Sequence, residues 1–72
     1  MTDKERENFA SNVRTLRSEL GMTQDEFGKF VGAEKQTISN YERGKVVPNV
    51  KNLRKVASGL GYSPRELIGG RI

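Results

Sequence analysis

Seventy-two residues with a net charge of +4 and no cysteine make one small domain, residues 1–72, with no disulfide staple and no thiolate for zinc. A chain this short buries only about 60% of its unfolded surface, so its stability must come from a thin core and well-closed helix ends. No apolar run approaches the roughly 18–20 residues that span a bilayer, and the charged start MTDKERENFA has no apolar segment behind it as a signal peptide would. The expectation is a cytoplasmic protein with no membrane partner.

Strand formers are sparse and do not alternate, which leaves helices. Thr2 and Glu5 form a capping box, in which each side chain bonds the other residue's free amide. Phe9, Val13, Leu16 and Leu20 then recur at the helical period, and Gly21 closes the first helix. Thr23 and Glu26 open a second helix, stapled by Met22 and Phe27 and ending near Val31–Gly32. A third runs from Glu34–Lys35 to Gly44 with a weaker cap, because glutamate is a poor N-cap. Asn49, flanked by Pro48 and Leu53, caps a fourth that carries Val50, Leu53, Val56, Ala57 and Leu60 at helical spacing and stops at Gly61. Ser63-Pro64-Arg65-Glu66 opens a brief fifth that ends at Gly69-Gly70. The fold class is an all-α, compact five-helix bundle. Its expected core is Phe9, Val13, Leu16, Leu20, Phe27, Val31, Ile38, Leu53, Val56, Leu60 and Leu67.

Charge is unevenly spread. Residues 1–26 hold six acids and four bases, a net −2; residues 27–72 hold three acids and nine bases, a net +6. Between Arg43 and Lys55 there are five bases and no acid. Such asymmetry suits a polyanion such as nucleic acid, although a solvated face has the same composition.

The third helix sharpens that choice. With about 100° of turn per residue and Ile38 at zero, Tyr41 falls at about −60° and Glu42 at about +40°. Gln36, Asn40 and Arg43 cluster on the opposite side, with Ser39 beside them and Lys35 flanking the group. One narrow face anchors the helix; the other is a row of amides, a hydroxyl and cations, with no acid beyond Glu34 at its start. Ordinary surface helices mix acids with bases. Amides pair bidentately with adenine, and Arg or Lys with guanine, when a helix lies in the major groove. The short helix before it and the turn Val31-Gly32-Ala33-Glu34 complete a helix-turn-helix arrangement. Glu42 lies beside the buried stripe, where an unpaired carboxylate is costly. Arg17, at the edge of the first helix's stripe, is its expected ion-pair partner.

The segment LRSELGMTQDEFGKFVGAEKQTISNYERGKVVPNVKNLRKVASGLGYSPRELI resembles the DNA-binding domain of the lambda-type Cro/repressor helix-turn-helix family. The likeness runs from about Val13 to Ile68. It is carried by Gly21-Met22-Thr23-Gln24, Gly32, Thr37-Ile38-Ser39, Tyr41-Glu42-Arg43-Gly44, Pro48 and Leu60-Gly61-Tyr62-Ser63, in that order and spacing. The resemblance implies that the third helix enters the major groove of double-stranded DNA, with Lys35, Gln36, Ser39 and Asn40 facing base edges. It implies that Thr23 and Gln24 at the start of the second helix, and Arg43 and Lys45 after the third, hold phosphates, and that Arg17 pairs with Glu42. Three positions depart from the pattern. Gly28 stands where alanine is usual, Phe30 where a polar residue is common, and Glu34 replaces the usual small polar cap.

An enzyme is not expected. Histidine and cysteine are absent, the acid pair Asp25-Glu26 complements a helix start, and the glycines lie at helix ends. No metal or cofactor is expected either. The readings that remain are a transcriptional repressor acting as a homodimer on a palindromic operator, the DNA-binding antitoxin of a toxin–antitoxin pair, and a protein-interaction module whose polar face is merely solvated. The repressor is preferred, because little chain is left for a toxin-binding segment. Candidate dimer surfaces are Val46-Val47, the region around Leu67-Ile68, and the tail Gly69-Gly70-Arg71-Ile72.

Overall fold

A small polar side chain closes the start of every helix but one. In the computed structural model, which describes residues 1–70, α1 spans Asp3–Glu19, α2 Gln24–Val31, α3 Lys35–Glu42, α4 Val50–Leu60 and α5 Pro64–Ile68. Thr2, Thr23 and Ser63 each form a reciprocal capping box with the glutamate three residues on, and Asn49 Oδ1 accepts the Asn52 amide at 2.8 Å. Alone among the five, α3 has no side-chain cap: Glu34 occupies the position without bonding the helix amides. Among the described residues there is no strand.

The helix ends are as regular as the starts. At the end of α3 the Lys45 amide donates to Asn40 O and the Gly44 amide to Tyr41 O, both at 3.1 Å. This double closure needs the left-handed backbone that Gly44 supplies at φ 68°. The helix therefore stops at Glu42 rather than at Gly44, and Lys45 is fixed immediately beyond it. Between α2 and α3, Gly32 turns the chain at φ 79°, and the Ala33 amide returns to Gly28 O at 2.7 Å.

One apolar cluster joins all five helices: Phe9, Val13 and Leu16 from α1, Phe27 and Val31 from α2, Ile38 and Tyr41 from α3, Leu53, Val56 and Ala57 from α4, and Leu67 from α5. Phe9 and Tyr41 meet edge-to-face at 5.1 Å. Two expected core residues, Leu20 and Leu60, are corrected. Leu20 is 48% exposed, because it is the C-cap of α1 and lies past the part of that helix the bundle covers. Leu60 only flanks the core. Val50, in the first turn of α4, is 65% exposed. Leu67 is fully buried and so cannot form a docking surface; of the tail, Arg71 and Ile72 lie outside the described residues.

Two asparagines on α1 tie α5 in place. Asn12, 1% exposed, donates to Leu67 O at 3.0 Å and to Gly70 O at 3.2 Å, and Asn8 Nδ2 donates to Ile68 O at 3.1 Å. They satisfy carbonyls at the end of a helix too short to be stable alone. The resulting body measures 28 × 21 × 20 Å.

Candidate nucleic-acid interface

The inner side of α3 is anchored by three residues. Ile38 and Tyr41 are buried in the core, and Glu42 is buried at its edge with 5% of its surface exposed. Burial also pushes the Tyr41 phenol above its ordinary pKa.

Glu42 is the junction of three helices. Its carboxylate accepts Arg17 Nε at 2.6 Å and Arg17 Nη2 at 3.0 Å, a two-point ion pair with α1. Gln24 Nε2, at the start of α2, donates to the same carboxylate at 3.2 Å. Arg17 Nη1 reaches on to Met22 O at 3.0 Å, and Arg14 Nη1 donates to the Glu42 carbonyl. The hydrogen bonds to Glu42 raise the pKa of Arg17 still further above its usual value. A buried carboxylate with this many donors is satisfied rather than stranded. The Arg14 contact also brings a cation to the carbonyl end of α3, whose own last turn has no base.

The outer side of α3 is open. Lys35 and Gln36 are exposed, and Ser39 and Asn40 half-buried, along one row; Arg43 and Lys45 are exposed just past the helix end. Gln36 Nε2 donates to Asn40 Oδ1 at 3.3 Å, so these two amides are bonded to each other. The four residues expected at phosphates fall into two pairs. Arg43 and Lys45 are exposed cations. Thr23 and Gln24 are already engaged inside the protein: Thr23 Oγ1 accepts the Glu26 amide at 3.1 Å, and Gln24 holds Glu42. Each keeps one donor for a phosphate, the Thr23 hydroxyl hydrogen and the second Gln24 N–H.

Sequence reasoning named Arg17 with Glu42 but missed Arg14 and the Gln24 bond. Arg14 carried a signal, since it stands three residues before Arg17 on the same side of α1. The Gln24 bond had none, because it depends on how α2 meets α3. The three unusual positions are now explicit. Phe30 is 48% exposed on α2, and Glu34 is exposed beside the first turn of α3. Gly28 is more than a weaker alanine: a Cβ there would stand 2.5 Å from Ala33 O, backbone that the turn into α3 brings across α2. Among the described residues, no helix is long and apolar enough to cross a membrane, and no cluster of acids could hold a metal ion.

A short capped helix, a glycine turn, and a second helix with a buried inner face and a polar outer row define a helix-turn-helix. Residues 13–67 match the profile of the family described as "Helix-turn-helix", and the chain belongs to that family. It is 41% identical over 58 residues to the uncharacterised HTH-type transcriptional regulator y4dJ of Sinorhizobium fredii, covering 81% of this chain and 75% of that one. To the cryptic phage CTXphi transcriptional repressor RstR of Vibrio cholerae it is 33% identical over 60 residues, 83% of this chain but only 54% of the repressor. Among solved structures, the hypothetical transcription factor NHTF from Neisseria superposes with a TM-score of 0.81 at 28% identity, over 90% of this chain and 75% of that one. These relatives are named as regulators of transcription, not as enzymes.

Proposed function

We propose that the protein is a sequence-specific, double-stranded-DNA-binding transcriptional repressor that acts from the cytoplasm, with all seventy-two residues forming one DNA-binding domain. The observation that carries the reading is the two-sided character of α3. Ile38, Tyr41 and Glu42 hold it from within, and its outer row offers amides, a hydroxyl and a cation. In this reading α3 lies in the major groove. Lys35, Gln36, Ser39 and Asn40 meet base edges, while Thr23, Gln24, Arg43 and Lys45 hold phosphates on either side. The likeness to a phage repressor supports repression as the outcome.

The protein is proposed to bind as a homodimer on a palindrome. One such domain makes about 600–1,000 Å² of DNA contact, which seldom suffices alone, whereas two copies on half-sites about 34 Å apart do. Val46 and Val47, in the loop between α3 and α4, are 39% and 49% exposed, and this apolar exposure supports them as the surface for a second copy.

The test is a titration of random-sequence duplex at two salt concentrations, followed by chemical-shift mapping. Binding should weaken steeply with salt, with a log–log slope of about 0.9 for each phosphate neutralised. Replacing Lys45 by alanine should lower that slope by about one. Shifts should concentrate in residues 35–43. No binding at either salt, or shifts confined to another face, overturns the assignment in favour of a protein-interaction module.

A further inference from the structure

Gln36 and Asn40 stand one helical turn apart on the outer row of α3, with Gln36 Nε2 donating to Asn40 Oδ1 at 3.3 Å. Among the described residues neither side-chain amide has another hydrogen-bond partner. We propose that the two amides work as one reading unit for two adjacent base pairs: adenine opposite Gln36, and a base edge presenting acceptors, guanine or thymine, opposite Asn40. This rests on the assignment of α3 to the major groove.

The argument is a count of hydrogen-bonding groups. A primary amide has two N–H donors and a carbonyl oxygen with two lone pairs. The internal bond takes one donor from Gln36 and one lone pair from Asn40. Gln36 keeps its oxygen and one N–H, the acceptor and donor that the N6 amino group and N7 of adenine require. Asn40, with its oxygen drawn to Gln36, keeps both Nδ2 donors, which suit O6 and N7 of guanine or O4 of thymine. A free amide can rotate to present either end. An amide bonded to its neighbour turns only by breaking that bond, so the bond favours this pattern before DNA arrives and less side-chain freedom is lost on binding. Four residues of helix rise about 6 Å, within reach of neighbouring base steps spaced about 3.4 Å apart.

Selection of sites from a random duplex library, by the full chain and by Q36A, N40A, the double variant and N40D, tests this. The unchanged protein should enrich adenine beside guanine or thymine. Q36A and N40A should each flatten both of those columns and weaken the selected duplex by about 10- to 100-fold, with the double variant no weaker than the worse single one. A carboxylate in place of the Asn40 amide keeps an oxygen for Gln36 but offers no donor, so N40D should leave the adenine column intact and turn its neighbour toward cytosine. If each single variant flattens only its own column and the losses multiply, the amides read independently: the coupling fails while the groove assignment stands. Loss of the adenine column in N40D also overturns it. Failure of the unchanged protein to enrich any sequence overturns both readings.

Discussion

The two helices of the motif are equal in length at eight residues each, yet they are fastened by different means. α2 is held locally. Thr23 and Glu26 close its start in a capping box, two acids complement its first turn, and Gly32 ends it. α3 has no side-chain cap, no acid in its first turn and no base in its last. Its order is imported: Ile38 and Tyr41 from the core side, Arg17, Gln24 and Arg14 around Glu42 at its end. The difference teaches how a helix can be rigid and still have an outer face free for recognition. When the anchors come from other helices, the outer row is not needed for stability.

The sharpest way to break this comparison is to remove the imported anchor. Arg17→Met leaves the buried Glu42 carboxylate without its counter-charge and should cost about 3–5 kcal/mol in urea unfolding. A loss under about 1 kcal/mol would mean that α3 is fastened elsewhere. Next comes the contact between the two helices. Gly28→Ala gains up to about 1 kcal/mol of helix propensity but drives a methyl group into Ala33 O, and overpacking of this kind costs about 1–3 kcal/mol. The expected outcome is a lower thermal midpoint, and a rise would show that the turn yields easily. The caps should then respond in opposite directions. Thr23→Ala should lose about 1 kcal/mol from α2, whereas Glu34→Asp, whose shorter carboxylate can reach the free amides of α3, should gain up to about 1 kcal/mol. Chemical denaturation of both variants side by side measures this.

The smallest effect lies in α1, which is capped in the manner of α2. The Glu5 carboxylate accepts the Thr2 amide at 2.8 Å, and that bond holds its pKa below the ordinary value. A depressed carboxylate contributes stability above its unfolded pKa and loses it as pH falls through the folded one. Protection of the first-turn amides of α1, measured against the intrinsic exchange rate at each pH, should therefore fall on acidification, and Glu5→Gln should remove that pH dependence. Identical acid responses in the two proteins would show that the box does not matter there.

Local signals made most of the fold legible. A capping residue bonds amides two or three positions away, and an apolar stripe repeats within one helix, so the starts of α1, α2, α4 and α5 could be read without knowing their neighbours. The same signals misplaced Leu20, since periodicity says which way a side chain points but not where the facing helix ends. In the candidate site, the polar row of α3 was legible because amides and cations without acids are an unusual helix surface. That Gln36 and Asn40 are bonded to each other was not read, although their spacing of four residues permitted it.

By itself the sequence determined five helices, the side of each that turns inward, and a cationic half that suits an anion. Only the tertiary structure decided that Gln24 and Arg14 would join the Arg17–Glu42 pair at the end of α3, that Asn8 and Asn12 would hold α5, and that Gly28 would lie against the backbone of the turn into α3. The physical reason is range. Caps and stripes are interactions between residues close in the chain, whereas these contacts join residues that are distant along it or depend on the angle at which two helices cross.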